Sequence, residues 1–494
     1  MRAMFSALPE ELIIHIASML MDNTSALSGL AKCSRDFARI FKPLLYRTIN
    51  VRCTDPQERA IPLLLRTLID RPQYGEYVQD LSVEANVDII KSNGDRVPNL
   101  FPASDTLFKV DDLVSRSIAG LPHHQPPHQG WHVKLTQRAP VAFTGLLLTR
   151  LPNLVHLTLI VSECEGYGGA VNVLSRLFGL LTRPSSPHIS AFTPCLNLDH
   201  VKNLRTTGYN LDILAVEFPQ LRELAVNLVI RFEDHAGNLR YSSGTARPSE
   251  IIHAQHQLKV LKITTDWEDL ELHPSTKHTA TLLRFLRCYN ITEIHFTLAR
   301  GPRRPVLPGT LLSWNALTAI LYPVRNTLEV LKLSITEDTK AFPQACYPRF
   351  YPIHSLKHFH RLRVLELPQT ALLHRHYRRP TYQKPHAELV YPPSLKEVLV
   401  TWPDQKSLDW LFDITATTAK GTHRIEKVTF SCVRGFGKPA SWFFLKKREI
   451  EAARNARMNV EILGESAGKT SSADLVDLEK HLGFIKNMYT SIDD

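Results

Sequence analysis

The stretch Leu328-Glu329-Val330-Leu331-Lys332-Leu333 carries the pattern from which the architecture of this chain can be read. It is apolar at its first, fourth and sixth positions. Side chains alternate between the two faces of a strand, so the fourth and sixth positions share one face, and the first lies at the preceding turn. The pattern recurs as Val78-Leu81-Val83, Leu154-Leu157-Leu159, Leu221-Leu224-Val226, Leu258-Leu261-Ile263, Ile291-Ile294-Phe296, Leu362-Leu365-Leu367, Leu395-Val398-Val400 and Ile425-Val428-Phe430. From Leu221 onward, successive starts are 37, 33, 37, 34, 33 and 30 residues apart.

Stretches capable of forming helices separate these phrases, for example 279–288, 311–322 and 407–419. Strands and helices that alternate at a near-constant period predict an α/β chain of stacked βα units with a parallel sheet along one side. The alternative is a single α/β domain whose strands are evenly spaced.

The repeating phrases resemble the leucine-rich repeats. The period is longer than is usual in that family, and the Asn that follows the strand appears only as Asn86, so the resemblance implies an irregular solenoid. We assign 77–464 to this leucine-rich-repeat-like domain. An insertion rich in Pro and His occupies 85–145, and such loops often lie near a binding face.

The first fifty residues predict three short helices. Pro9 suits the first turn of a helix, and the acidic pair Glu10-Glu11 complements its dipole. The turn at 22–25 offers an N-cap for a second helix, and Ser34 offers one for a third, which Pro43 is expected to stop. Three helices of this length cannot bury all of their apolar side chains, because small domains leave much of their surface exposed. The segment therefore predicts a docking module.

The order and spacing of these residues resemble the F-box, with Phe37 standing where many members carry Trp. The resemblance implies a three-helix module at 1–50 that binds a Skp-type adaptor, itself held by a cullin scaffold. A helical linker at 51–76 and a polar link with a C-terminal helix at 465–494 complete the expected organisation. The implied adaptor-binding residues are Leu8, Pro9, Leu12, Ile16, Leu20, Leu27, Leu30, Phe37, Pro43 and Leu44. The alternative is an N-terminal helical cap on a larger domain.

Composition is that of a soluble globular protein, with 494 residues, 44% of them hydrophobic and 22% charged. Seven scattered cysteines without a C-x-x-C pair predict reduced thiols, no zinc site and a cytoplasmic or nuclear location. No apolar run is long enough to span a bilayer. The net charge of +11 is spread widely, and the best candidate for nucleic-acid contact is 375–384, where Tyr377 and Tyr382 lie between basic residues.

Motifs for chemistry are incomplete. Gly464-Glu465-Ser466-Ala467-Gly468-Lys469-Thr470 has three residues between its glycines, and a phosphate loop needs four. His354, His358 and His360 have ligand-like spacing but lack nearby carboxylates or cysteines. We therefore expect no metal, no cofactor and no catalytic activity.

The function that the sequence favours is that of a non-catalytic substrate-recognition subunit of an SCF-type cullin-RING E3 ubiquitin ligase. The module at 1–50 would bind the adaptor, and the repeat surface would bind a protein substrate of unknown identity. Two alternatives stay open: an F-box scaffold that acts independently of the ligase, and a basic repeat protein that contacts nucleic acid. We expect no membrane partner.

Overall fold

A computed structural model gives the structure of much of the chain, which forms two compact units, Met1–Leu258 and Lys259–Asp494. Both units are α/β, and each contains a run of parallel strands. The structure describes residues 8–21, 23–53, 60–87, 112–113, 115–116, 135, 140–163, 177, 198–207, 213–214, 218–233, 239–243, 257–265, 290–298, 312–335, 350–373, 391–403, 405–419, 425–432 and 447–464.

The first unit begins with three helices and continues into five parallel strands that pair in chain order. A separate antiparallel hairpin, β6–β7, follows them. The elements are α1 (Glu10–Met19), α2 (Thr24–Ala31), α3 (Arg35–Arg47), β1 (Thr48–Cys53), α4 (Ala60–Asp70), α5 (Gln73–Tyr77), β2 (Asp80–Val87), α6 (Pro140–Leu148), β3 (His156–Glu163), β4 (Asn203–Thr207), β5 (Glu223–Asn227), β6 (Val229–Glu233) and β7 (Leu239–Ser243).

Among its described residues, the second unit contains seven parallel strands, which also pair in chain order as β8, β9, β11, β13, β14, β15 and β16. Strands β10 and β12 form a separate parallel pair. The elements are β8 (Val260–Thr265), β9 (Glu293–Leu298), β10 (Leu312–Ser313), α7 (Trp314–Leu321), a 3₁₀ turn (Tyr322–Val324), β11 (Val330–Ile335), β12 (Phe350–Tyr351), β13 (Val364–Pro368), α8 (Gln369–Leu372), β14 (Glu397–Thr401), α9 (Gln405–Ala419), β15 (Lys427–Cys432), α10 (Lys447–Asn455) and β16 (Asn459–Gly464).

The strand register explains the repeating phrase. Its fourth position stacks from strand to strand, as Ile294 pairs with Leu331 and Leu331 with Leu365, and all three are fully buried. The first position is buried as well, for example at Ile291 and Leu328. Each of these phrases therefore contributes three apolar side chains to the core of its unit, which is how repeat proteins are stabilised. The α/β class and the parallel pairing that the sequence predicted are confirmed.

Three strands belong to the parallel runs although they lack the full phrase. In β4 the sixth position is Thr206, which is nonetheless fully buried, and in β16 the register puts Arg457 at the first position. Arg457 has a positive φ of 61°, which is the left-handed region of backbone conformation. The turn before β16 therefore differs from an extended entry into a strand. The remaining strand, β1, follows α3 without a linker and crosses the boundary that the sequence placed at residue 50.

Pro43 lies inside α3, so the prediction that it ends the third helix was wrong. A proline in a helix interior costs roughly 3 kcal/mol. Residues of the following turn offset that cost by packing, because Leu44 and Leu45 contact the helical core and the ring of Tyr46 stacks on that of Tyr74. Here tertiary packing outweighs a local preference.

Several other expectations can be compared with the described residues. The helical linker predicted at 51–76 contains α4 and most of α5, and the helices predicted within 311–322 and 407–419 correspond to α7 and α9. The stretch 279–288, most of the insertion at 85–145, the basic cluster at 375–384 and the C-terminal segment 465–494 lie outside the described residues. In the part of the chain that the structure describes, we find no helix with the length and apolar character needed to cross a bilayer.

Candidate docking surface

The three N-terminal helices share a small core. Ile13 and Ala17 of α1, Leu27 of α2, and Ile40 and Phe41 of α3 are buried against one another. Around this core lies a partly buried shell of apolar side chains: Leu8, Leu20, Leu30, Ala31, Phe37, Leu44 and Leu45. The core holds few large side chains, so the module leaves much of its apolar surface only partly covered.

Side-chain caps and one ion pair set the helix positions. Asn23 Oδ1 accepts a hydrogen bond from the Ala26 amide at 3.0 Å, and Ser34 Oγ accepts one from the Phe37 amide at 3.1 Å. Both caps were predicted from the sequence. Arg39 of α3 donates two hydrogen bonds to Glu10 of α1, at 3.1 and 2.6 Å, and these bonds hold the pKa of the Glu10 carboxyl below its usual value. The pair therefore fixes α1 against α3.

One side of α1 carries an apolar stripe that the core leaves partly uncovered. Leu12 is 49% exposed and Met19 is 71% exposed, while Ile16 between them is half-buried. These three residues stand at i, i+4 and i+7, so they lie along one side of the helix. Ile14 is 44% exposed but lies on the opposite side of α1, since two residues correspond to about 200° of rotation. We call Leu12, Ile16 and Met19 the α1 stripe.

The predicted adaptor-binding residues fall into three groups. Pro9 and Leu12 are exposed, whereas Leu27 is 1% exposed and belongs to the core rather than to the surface. The others are half-buried: Leu8, Ile16, Leu20, Leu30, Phe37, Pro43 and Leu44. Met19 lies outside the predicted set, although its spacing of seven residues from Leu12 places it on the same side of α1. Leu27 supports the surface by packing beneath it.

Stacked tyrosines join the helices to the strands that follow. The ring centroids of Tyr46 and Tyr74 are 4.5 Å apart, and Arg71 donates a hydrogen bond to the Tyr74 hydroxyl at 3.0 Å. Burial alone would raise the pKa of Tyr74, but the hydrogen bonds from Arg71 and Lys42 outweigh it and lower that pKa. Burial raises the pKa of Tyr46. The module is thus packed against the first βα unit instead of hanging from a flexible linker.

Close backbone contacts reinforce this junction. The Gln79 amide donates to the Arg47 carbonyl at 2.9 Å, so the start of β2 is bonded to the end of α3. Gly75 in α5 packs directly on the backbone of Arg150, where an added Cβ would overlap the carbonyl oxygen. The side chain of Asn153 donates to the Glu76 carbonyl at 2.8 Å. These contacts fix the direction in which α1 presents its stripe.

The outward faces of the parallel strands carry polar side chains among half-buried apolar ones such as Val260, Val330 and Val364. In the first unit, Asp80 lies 3.2 Å from the Thr48 hydroxyl and 3.6 Å from the His156 ring. In the second unit, Glu293 of β9 contacts His295 at 2.5 Å and Lys332 of β11 at 3.0 Å. Burial alone would raise the pKa of Glu293, but the bonds from His295 and Lys332 outweigh it and lower that pKa. Polar side chains on neighbouring strands thus contact one another along the sheet, and their donors and acceptors are of the kind that hydrogen-bond to a polypeptide.

The histidines with ligand-like spacing lie on the surface. His354, His358 and His360 are all exposed, and among the described residues no three His, Cys, Asp or Glu side chains come together as a metal site.

No family model matches the chain, and a search of the curated proteins finds no match either.

Proposed function

We propose that this protein is the substrate-recognition subunit of an SCF-type cullin-RING E3 ubiquitin ligase, with the helical module 8–47 docking to a Skp-type adaptor. The observation that carries the proposal is the α1 stripe. A helix with apolar side chains at i, i+4 and i+7, of which the first and last are exposed, has the pattern of a face that packs against a partner protein. The half-buried shell around it would contribute the remaining contact area.

The attachment of the module supports a scaffolding mechanism. The α3 helix continues into β1 without intervening residues, and the Tyr46–Tyr74 stack packs the junction. A partner bound to the α1 stripe would therefore be held in a defined orientation to the strands of the first unit. Holding a substrate near the enzyme that transfers ubiquitin raises its effective concentration without chemistry by this chain. The outward faces of the strands, which mix polar and half-buried apolar side chains, are the surfaces we assign to substrate contact.

Affinity purification of the full-length protein from proteasome-inhibited cells tests this proposal. We expect the adaptor and the cullin to co-purify together with a few ubiquitinated proteins. The double substitution Leu8→Ala with Pro9→Ala should abolish adaptor co-purification while leaving the repeat domain folded. Adaptor binding that survives this double substitution would contradict the docking assignment. Adaptor binding without any change in partner half-life would favour a scaffold that acts independently of the ligase.

A further inference from the structure

The turn that leads into β13 presents basic side chains in a regular arrangement. Leu356, Phe359 and Leu362 are buried, and they recur at every third position. Backbone hydrogen bonds of 2.9 Å from Phe359 to Leu356 and of 3.0 Å from Leu362 to Phe359 close two successive turns. The apolar residues therefore anchor the segment, and the residues between them project into solvent.

Apart from Tyr351, the titratable residues between 350 and 363 are all basic. The exposed set consists of His354, Lys357, His358, His360, Arg361 and Arg363. Strand pairing brings Glu329 and Glu397 beside this segment, because backbone bonds join Arg363 to both of them. Across the described residues, however, neither carboxylate forms an ion pair with a residue of the set. The positive charge is thus left largely uncompensated.

An exposed aromatic ring borders the same segment. Tyr322, at the 3₁₀ turn before β11, is 47% exposed, and its ring centroid lies 6.2 Å from that of His358. The Arg325 guanidinium carbon lies 3.9 Å from the Tyr322 ring centroid. Arg325 is therefore a fourth side chain, with Lys357, Arg361 and Arg363, that is positively charged at neutral pH. We call these residues the basic patch: Tyr322, Arg325, Lys357, His358, Arg361 and Arg363.

We propose that the basic patch binds single-stranded nucleic acid, with its cations on the phosphates and Tyr322 stacked against a base. Proteins that bind single strands without sequence preference combine a positive surface with aromatic side chains on which bases stack. The carboxylates of an acidic peptide would use the cations, but Asp and Glu side chains carry no aromatic ring to stack on Tyr322. The patch lies outside the 375–384 cluster that the sequence suggested, and its use does not depend on adaptor binding.

Fluorescence anisotropy with the full-length protein and labelled 15-residue oligouridylate or oligothymidylate tests the assignment. Four phosphate contacts give a slope of about −2.8 in a plot of log affinity against log salt, so binding should weaken about 50-fold between roughly 50 and 200 mM salt. Lys357→Glu with Arg361→Glu should reduce that slope to about −1.4 or less. Tyr322→Ala should weaken binding about tenfold while leaving the slope unchanged.

The matched control is Lys32→Glu with Arg35→Glu. It makes the same change of charge at exposed positions of the helical module and should leave binding unaltered. If the charge-reversal variant does not fold, Lys357→Gln with Arg361→Gln removes the same two contacts without adding repulsion. Equal affinity for duplex DNA, combined with no effect of Tyr322→Ala, would overturn the proposal. Equally tight binding of polyglutamate, or no binding of either oligonucleotide, would also overturn it.

Discussion

Truncation of the side chains of the α1 stripe should weaken adaptor binding while changing the free energy of unfolding little. Full burial of a Leu or Met side chain contributes about 1.5–3 kcal/mol. Leu12 keeps 49% of its surface exposed and Met19 keeps 71%, so a partner could still bury roughly half of the first and two thirds of the second. Together these exposed portions correspond to about 2–3 kcal/mol, which is roughly a 30- to 150-fold change in dissociation constant. We therefore expect Leu12→Ala with Met19→Ala to weaken adaptor binding by that factor.

Titration calorimetry of the full-length protein with purified Skp-type adaptor measures this change. The unfolding free energy, followed by circular dichroism in urea, should fall by less than about 1 kcal/mol, since these side chains are largely exposed. Ile14→Ala is the matched control, because Ile14 is 44% exposed on the opposite side of the same helix. Its effect on adaptor affinity should be within about threefold. Equal losses from Ile14→Ala and from the stripe variant would refute docking through one face.

Leu27→Ala should lower the stability of the module without removing a contact to the adaptor, which is the reverse of the effect expected from the stripe variant. Leu27 is 1% exposed within the helical core, and its truncation should destabilise the module by about 3–5 kcal/mol. Adaptor binding should be lost only to the extent that the module unfolds, so lowering the temperature or adding a stabilising osmolyte should restore it. A folded Leu27→Ala protein with no adaptor affinity would mean that Leu27 contacts the adaptor directly.

Three further outcomes are expected. Gly75→Ala should lower the unfolding temperature by several degrees in a thermal melt, because its Cβ would overlap the Arg150 carbonyl oxygen; an unchanged temperature would refute that close packing. The lowered pKa of Glu293 means that its ionised form stabilises the fold above about pH 4.5, and that this contribution is lost as the pH falls through the folded-state pKa. Glu293→Gln should therefore flatten the acid side of the stability–pH curve, and an unchanged curve would contradict the ion-pair assignment. Burial raises the pKa of the Cys432 thiol to about 11, so under native conditions it should react with Ellman's reagent much more slowly than exposed Cys33; equal rates would argue against burial.

Local sequence was enough to place most of the strands and two of the helix caps. The fourth and sixth positions of the phrase, Leu331 and Leu333, are two residues apart, as the buried face of a strand requires. Asn23 and Ser34 cap their helices through bonds to amides three residues away, so no distant part of the chain is needed to form them. The strand β4 escaped notice because Thr206 replaces an aliphatic residue, yet the neighbouring strands bury it equally well.

The candidate sites depended more strongly on tertiary contacts. Helical spacing placed both Leu27 and Met19 on apolar faces, but spacing cannot say that one is covered by neighbouring helices and the other is left 71% exposed. The basic patch shows the same limit, because Tyr322 and His358 are 36 residues apart and meet only through the packing of adjacent repeats.

The sequence by itself determined the α/β class, the parallel repeat and the presence of an apolar N-terminal module, because periodicity and caps are properties of neighbouring residues. Only the tertiary structure decided that α3 continues through Pro43 into β1, which residues of α1 stay exposed, and where the basic side chains gather. The physical reason is that burial is a relation between distant segments. A side chain's own pattern gives the face it occupies, and the packed neighbours determine whether that face is covered.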